Sequence, residues 1–121
     1  MQSILGNTRK ADIVFSSSGR IDIAASVAKH LHLQSGDALD VMHEQGEFYL
    51  YVKHRAAFGR FEATAYQTNK RGQHFRASSK RLCSAILYEC GVRDKARLCI
   101  GEPLETVAYG TLLPIITKKP L

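Results

Sequence analysis

A mainly β chain with two short helices, an α+β arrangement of two tandem β-β-α-β-β units, is the fold this sequence predicts. Three observations carry the prediction. Short alternating apolar stretches outnumber helical ones, only two segments have apolar residues at helical spacing, and the order of these segments occurs twice. Residues 11–52 give an extended run, a turn, a strand, a helix and a hairpin, and residues 60–116 give the same order again.

The first unit opens with the β-forming run Ala11 to Phe15 and the turn Ser16-Ser17-Ser18-Gly19. Ile21 and Ile23 then alternate with Arg20 and Asp22, which gives one face to a core and one to water. Val27 and Leu31 share a helix face, and that helix starts either at Ser26 or with Ala24 and Ala25 in its first turn. The stretch Leu33 to Asp37 stops it, with Gly36 suited to a positive φ. Leu39 and Val41 begin a hairpin that turns at Glu44-Gln45-Gly46-Glu47. It returns through Phe48, Leu50 and Val52, with Tyr49 and Tyr51 on the other face.

Residues 53–59 form a short link, and 1–10 and 117–121 are tails. The second unit has an extended run from Phe61 to Tyr66 and a turn at Asn69-Lys70-Arg71-Gly72. A strand follows to Phe75-Arg76, then a helix capped by Ser78 or Ser79 and ended by Gly91. Leu82 and Ile86 mark the inner face of that helix. Leu98 and Ile100 read as a strand, Gly101-Glu102-Pro103 turns the chain, and Leu112 to Ile116 closes it, with Pro114 arguing for a sheet edge. Aligning Gly19 with Gly72 sets an offset of 53, whereas Leu39/Leu98, Val41/Ile100, Val27/Ile86 and Leu33/Val92 all align at 59. The difference is an insertion around the start of the second helix. A small unit that cannot bury its own apolar face gains by stacking on a copy of itself.

The 121 residues suit a single domain, 1–121. No apolar run is long enough to cross a membrane as a helix, so no membrane contact is expected. The first residues lack the apolar core of a signal peptide, and three cysteines at non-zinc spacing fit a reducing cytoplasm. Cys83 and Cys90 lie beside Ile86 and Leu87 at helical spacing and read as core residues rather than metal ligands. No cofactor or metal is expected. Five scattered histidines, no phosphate-binding glycine loop and no placed nucleophile argue against an enzyme.

Gly19-Arg20-Ile21-Asp22-Ile23, the helix, Leu33-Gln34-Ser35-Gly36-Asp37 and the alternating hairpin resemble the AbrB/SpoVT family. Its members are swapped-hairpin β-barrel domains of bacterial transcription regulators and of antitoxins. The resemblance covers about a third of the chain. Here Ala24 stands where the family has proline, Ala28-Lys29 where it has two basic residues, and Val92 to Lys95 where a second Gly-Asp turn would be. The family joins two short chains in one barrel. The resemblance therefore implies that this chain completes a barrel alone, as a monomeric pseudo-dimer, or does so as a homodimer.

The net charge of +6 suits a polyanionic partner. In the family, basic residues at the first turn, the next strand and the helix start meet DNA. The matching residues here are Arg20 and Lys29 in the first copy and Lys70, Arg71, Arg76, Lys80 and Arg81 in the second, with Arg9 and Lys10 on the arm. The expected DNA-binding set is Arg20, Lys29, Lys70, Arg71, Lys80 and Arg81. Cations hold phosphates, and the forked guanidinium also reads guanine. The expectation is thus a nonenzymatic duplex-DNA-binding regulator. The alternative is a protein-interaction or antitoxin-like module that keeps the barrel without DNA binding. Tyr49, Tyr51, Tyr66 and Tyr88 offer rings for stacking on bases, though cross-strand packing is the plainer role for tyrosines in strands.

Overall fold

A computed structural model describes residues 10–53, 62–68 and 73–121. The chain is mostly β, with β1 (Ile13–Ser16), β2 (Arg20–Ile23), α1 (Ala25–Leu31), β3 (Ala38–Glu44) and β4 (Glu47–Lys53) followed by β5 (Tyr66–Gln67), β6 (Phe75–Ser78), α2 (Lys80–Cys90), β7 (Lys95–Ile100), β8 (Leu104–Thr106) and β9 (Gly110–Ile116). The strands are antiparallel in the order β3-β4-β9-β7-β1-β2-β6-β5, with β8 beside β9. Ala38 of β3 bridges to Thr64, just before β5. The two ends of the strand order thus approach each other, and the sheet curls like a barrel. Hydrogen bonds from Leu39 N–H to the Ala63 carbonyl (3.0 Å) and from Ala65 N–H to the Asp37 carbonyl (2.7 Å) hold that seam.

Alternation decides the inside. Ile13 lies opposite Ile23 and Phe15 opposite Ile21, and all four are buried. They join Leu39, Leu50, Ala77, Leu98, Leu113 and Ile115 in one apolar cluster. The helices add Val27 and Leu31 from α1 and Cys83, Ile86 and Leu87 from α2. Of the expected core, Val41, Leu82 and Ile100 lie at its rim, half-buried. Cys83 and Cys99 are buried free thiols, and no group of metal-binding side chains occurs among the described residues. Among the described residues no helix is long and apolar enough to cross a membrane.

The helix ends follow local chemistry. Ser79 caps α2, its Oγ accepting from the Leu82 N–H at 3.2 Å. α1 has Ala24 at the equivalent place, with no side chain to cap it. Asp12 instead anchors the helix start to the sheet: its carbonyl accepts the Ala24 N–H at 2.9 Å, and one carboxylate oxygen takes the Ile100 N–H at 3.0 Å. β1, α1 and β7 are thereby tied at one residue. Both helices end in a left-handed residue, His32 in α1 and Gly91 in α2. The next N–H then reaches back five residues in each case, Leu33 to the Ala28 carbonyl and Val92 to the Leu87 carbonyl.

α1 ends at Leu31 with His32 as its left-handed cap, immediately before the stretch Leu33 to Asp37, and Gly36 takes the expected positive φ, at 99°. Three details differ from the sequence reading. The extended run expected from Phe61 to Tyr66 is reduced to Tyr66–Gln67, because Ala63 turns at a φ of 61° (Phe61 lies outside the described residues). The short strand β8 was not foreseen. Pro114 lies inside the sheet and not at its edge: β4 flanks β9 on one side, and β8 and β7 share the other. At the junction of β8 and β7 the Pro114 carbonyl accepts the Gly101 N–H at 2.8 Å, so the proline serves the sheet as an acceptor.

Candidate nucleic-acid interface

β2 and β6 are antiparallel neighbours within the sheet, flanked by β1 and β5. Their register pairs Arg20 with Ser78, Ile21 with Ala77 and Asp22 with Arg76. Ile21 and Ala77 point into the core, so Arg20, Asp22, Arg76 and Ser78 stand outside. Asp22 binds both arginines. Arg20 Nε donates to one carboxylate oxygen at 2.9 Å and Arg76 Nε to the other at 3.0 Å. Each guanidinium has two more nitrogens, and both side chains are about half exposed, 47% and 52%.

Lys80 joins this group through Gly19. The Gly19 carbonyl accepts the Ser79 N–H at 2.8 Å, which brings the start of α2 onto the β1–β2 turn. Lys80 Cγ then lies 2.9 Å from where a Cβ on Gly19 would stand, and Gly19 has a φ of 97°. Crowding and backbone angle both demand glycine there. The lysine stem therefore lies against the turn that leads into Arg20.

The other expected residues are placed differently. Arg81 donates through Nε at 2.9 Å and Nη2 at 2.8 Å to one oxygen of Glu62. That hydrogen bond and charge raise its pKa above the usual arginine value. With Asp40 and Lys53 it lines a hollow of about 610 Å³, separate from the Arg20–Arg76 group. Lys29 is exposed on α1 and lines a second hollow of about 510 Å³ with His32, Gln67 and Phe75. Lys70, Arg71 and Arg9 lie outside the described residues; Lys10 is exposed.

A third hollow, of about 590 Å³, lies between Arg20 and Arg76 and is lined also by Tyr66, Ser18, Ser78 and Gln67. Gln67 borders the Lys29 hollow too, so the two adjoin. Tyr66 stands directly opposite Arg76 in the β5–β6 register and is 59% exposed. Tyr51 differs: its hydroxyl donates to Asp40 at 3.2 Å and its ring meets Tyr109 edge-on at 5.4 Å, a packing role.

No family model, curated protein or solved structure matches the chain. The geometry alone therefore ranks the candidates. It brings Arg20 and Arg76 together on Asp22, sets the Lys80 stem against Gly19, and pairs Arg81 with an acid. Asp22 was missed as a ligand of both arginines, although Arg20 and Asp22 lie two apart on the outward face of one strand, which was the available signal. The cross-strand neighbour Arg76 depends on register, which one strand alone does not give.

Proposed function

We propose that this chain is a nonenzymatic duplex-DNA-binding protein of the transcription-regulator kind, built from two swapped-hairpin units in tandem. The repeat is supported by the matching helix ends: His32 and Gly91 are 59 residues apart, and so are their hydrogen-bonded neighbours. That is the offset of Leu39/Leu98 and Val27/Ile86, all four buried. Three free thiols suit the reducing cytoplasm in which such a regulator works.

The observation that carries the DNA reading is the pair of outward arginines on one carboxylate, with the Lys80 stem against the Gly19 turn that leads into Arg20. Arginine is the side chain suited to both phosphate and guanine. Lys29, Lys70 and Arg71 stay in the proposed binding set, whereas Arg81 contributes less because Glu62 offsets its charge. The test is an anisotropy titration with a generic duplex at two salt concentrations. Log affinity should fall with log salt by about 0.9 for each phosphate neutralised.

A second reading, a protein-interaction module, is favoured by the exposed apolar side chains of the β8–β9 hairpin, namely Leu104, Val107, Tyr109 and Ile116. It predicts no salt-dependent duplex affinity and a protein partner that loses its hold when Val107 and Tyr109 are replaced by serine.

A further inference from the structure

Resting on the nucleic-acid reading above, we propose that the hollow between Arg20 and Arg76 receives one unpaired nucleotide, its base on the Tyr66 ring and its phosphate on the arginines. The hollow's volume of about 590 Å³ falls within the usual range for a small-molecule site. Its chemistry divides in two. At one side an exposed aromatic ring stands on the short strand β5, directly across from Arg76. Every base has a π face, so such a ring accepts any base that has left its stack. At the other side are two guanidiniums, and Ser18 and Ser78 are among the polar residues of the lining.

Asp22 decides how those guanidiniums are presented. It takes the Nε of each, one on either oxygen, and leaves the terminal nitrogens as donors for an anion. Asp22 itself is not part of the hollow's lining. The carboxylate is thus a positioning residue behind the two arginines, and the anion site lies on their far side. A stacking ring beside a two-arginine anion site matches a nucleotide better than it matches a bare phosphate, which has no use for Tyr66. It also matches an unpaired nucleotide better than a paired one, whose faces are covered by its neighbours.

The experiment compares three labelled probes by anisotropy: a blunt duplex, the same duplex with one unpaired adenosine, and one strand alone. The intact chain should bind the bulged duplex about tenfold more tightly than the blunt one, which is the scale of one base stacked on an aromatic ring. Tyr66→Ala should abolish that preference without changing affinity for the blunt duplex, and Tyr66→Phe should keep it. Arg76→Ala should weaken all three probes. Tyr66 is exposed, and an unchanged melting transition in Tyr66→Ala will establish that the fold is intact. Equal binding of blunt and bulged probes, or a preference that survives Tyr66→Ala, would overturn the nucleotide hollow and leave the duplex reading standing. Binding of the single strand in a Tyr66-dependent way with none of the blunt duplex would support the hollow and remove the duplex reading. No binding of any probe removes both.

Discussion

Arg20 and Arg76 come from strands far apart in the sequence and bind opposite oxygens of one carboxylate, at 2.9 and 3.0 Å. The register explains why they meet. Ile21 faces Ala77, and each arginine immediately precedes its member of that pair. In an antiparallel pair, a two-fold axis through the Ile21–Ala77 position exchanges Arg20 with Arg76. It would also exchange Asp22 with Ser78, so the symmetry is broken at one place, the carboxylate. The pairing is mostly exposed, and exposed ion pairs add little to stability. Its consequence is for the geometry and charge of the surface.

Asp22→Asn should therefore raise affinity for generic duplex and reduce discrimination among sequences. The change removes one negative charge from the face and loosens both guanidiniums. Arg76→Ala should weaken binding on all sequences and lower the salt slope by about one phosphate's worth, near 0.9. Selection from a randomised duplex pool, followed by titration of the winners at two salt concentrations, measures both. An Asp22→Asn protein that discriminates as well as the wild type would show that the carboxylate positions nothing.

Ile86 is buried in the middle of α2 and belongs to the apolar core, where α2 packs on β1, β7 and β2. Ile86→Ala should cost about 2–5 kcal/mol and Ile86→Val about 0.5–1.5 kcal/mol, since the first leaves a larger cavity. Urea unfolding gives both values. A smaller cost for alanine than for valine would mean that the helix repacks around the gap.

Much of the fold is legible in the sequence. Alternation placed Ile21, Ile23 and Leu50 inside, and the period of Val27 and Leu31 oriented α1, because each pattern records a face that must leave water. Composition located Gly19, Gly46 and Gly91 at turns, and all three have positive φ. What one local window cannot hold is register. Pro114 reads as an edge residue until β7 and β8 are seen to divide one side of β9 between them. Arg81 reads like Lys80 until Glu62 is found beside it, 19 positions away in the chain. The arginine pair on Asp22 depends on β2 meeting β6, a long-range match that no local signal specifies.

Asp40 gives a pH test. Burial pushes its carboxyl up, but hydrogen bonds from Lys53 and the Val41 N–H, the Lys53 charge and the Tyr51 hydroxyl outweigh that, and its pKa is lowered below 3.8. A carboxyl lowered on folding stabilises the folded state above its unfolded pKa, and that stability disappears as pH falls through the folded value. The relevant window is therefore below about pH 4. Asp40→Asn should be less stable than wild type at neutral pH and should lose less stability on acidification through that window. The urea midpoint measured along the acid arm checks it. Parallel curves for the two proteins would mean that Asp40 titrates alike in both states.

The two helix ends supply a matched pair of predictions. His32 and Gly91 are the left-handed C-caps of α1 and α2, with φ of 51° and 70°. A side chain at such an angle brings Cβ against the following carbonyl, at a cost of about 1–2 kcal/mol that glycine avoids. A Cβ on Gly91 would meet nothing within 4 Å, so the backbone term stands alone there. Gly91→Ala should destabilise the chain by about 1 kcal/mol, and His32→Gly should stabilise it by a similar or smaller amount. The gain at His32 is reduced because a glycine also widens the unfolded ensemble. Opposite signs in thermal unfolding would support the equivalence of the two ends, and with it the tandem reading. If His32→Gly destabilises as much as Gly91→Ala, the imidazole holds α1 by contacts that α2 does not share, and the two ends are alike only in backbone angle.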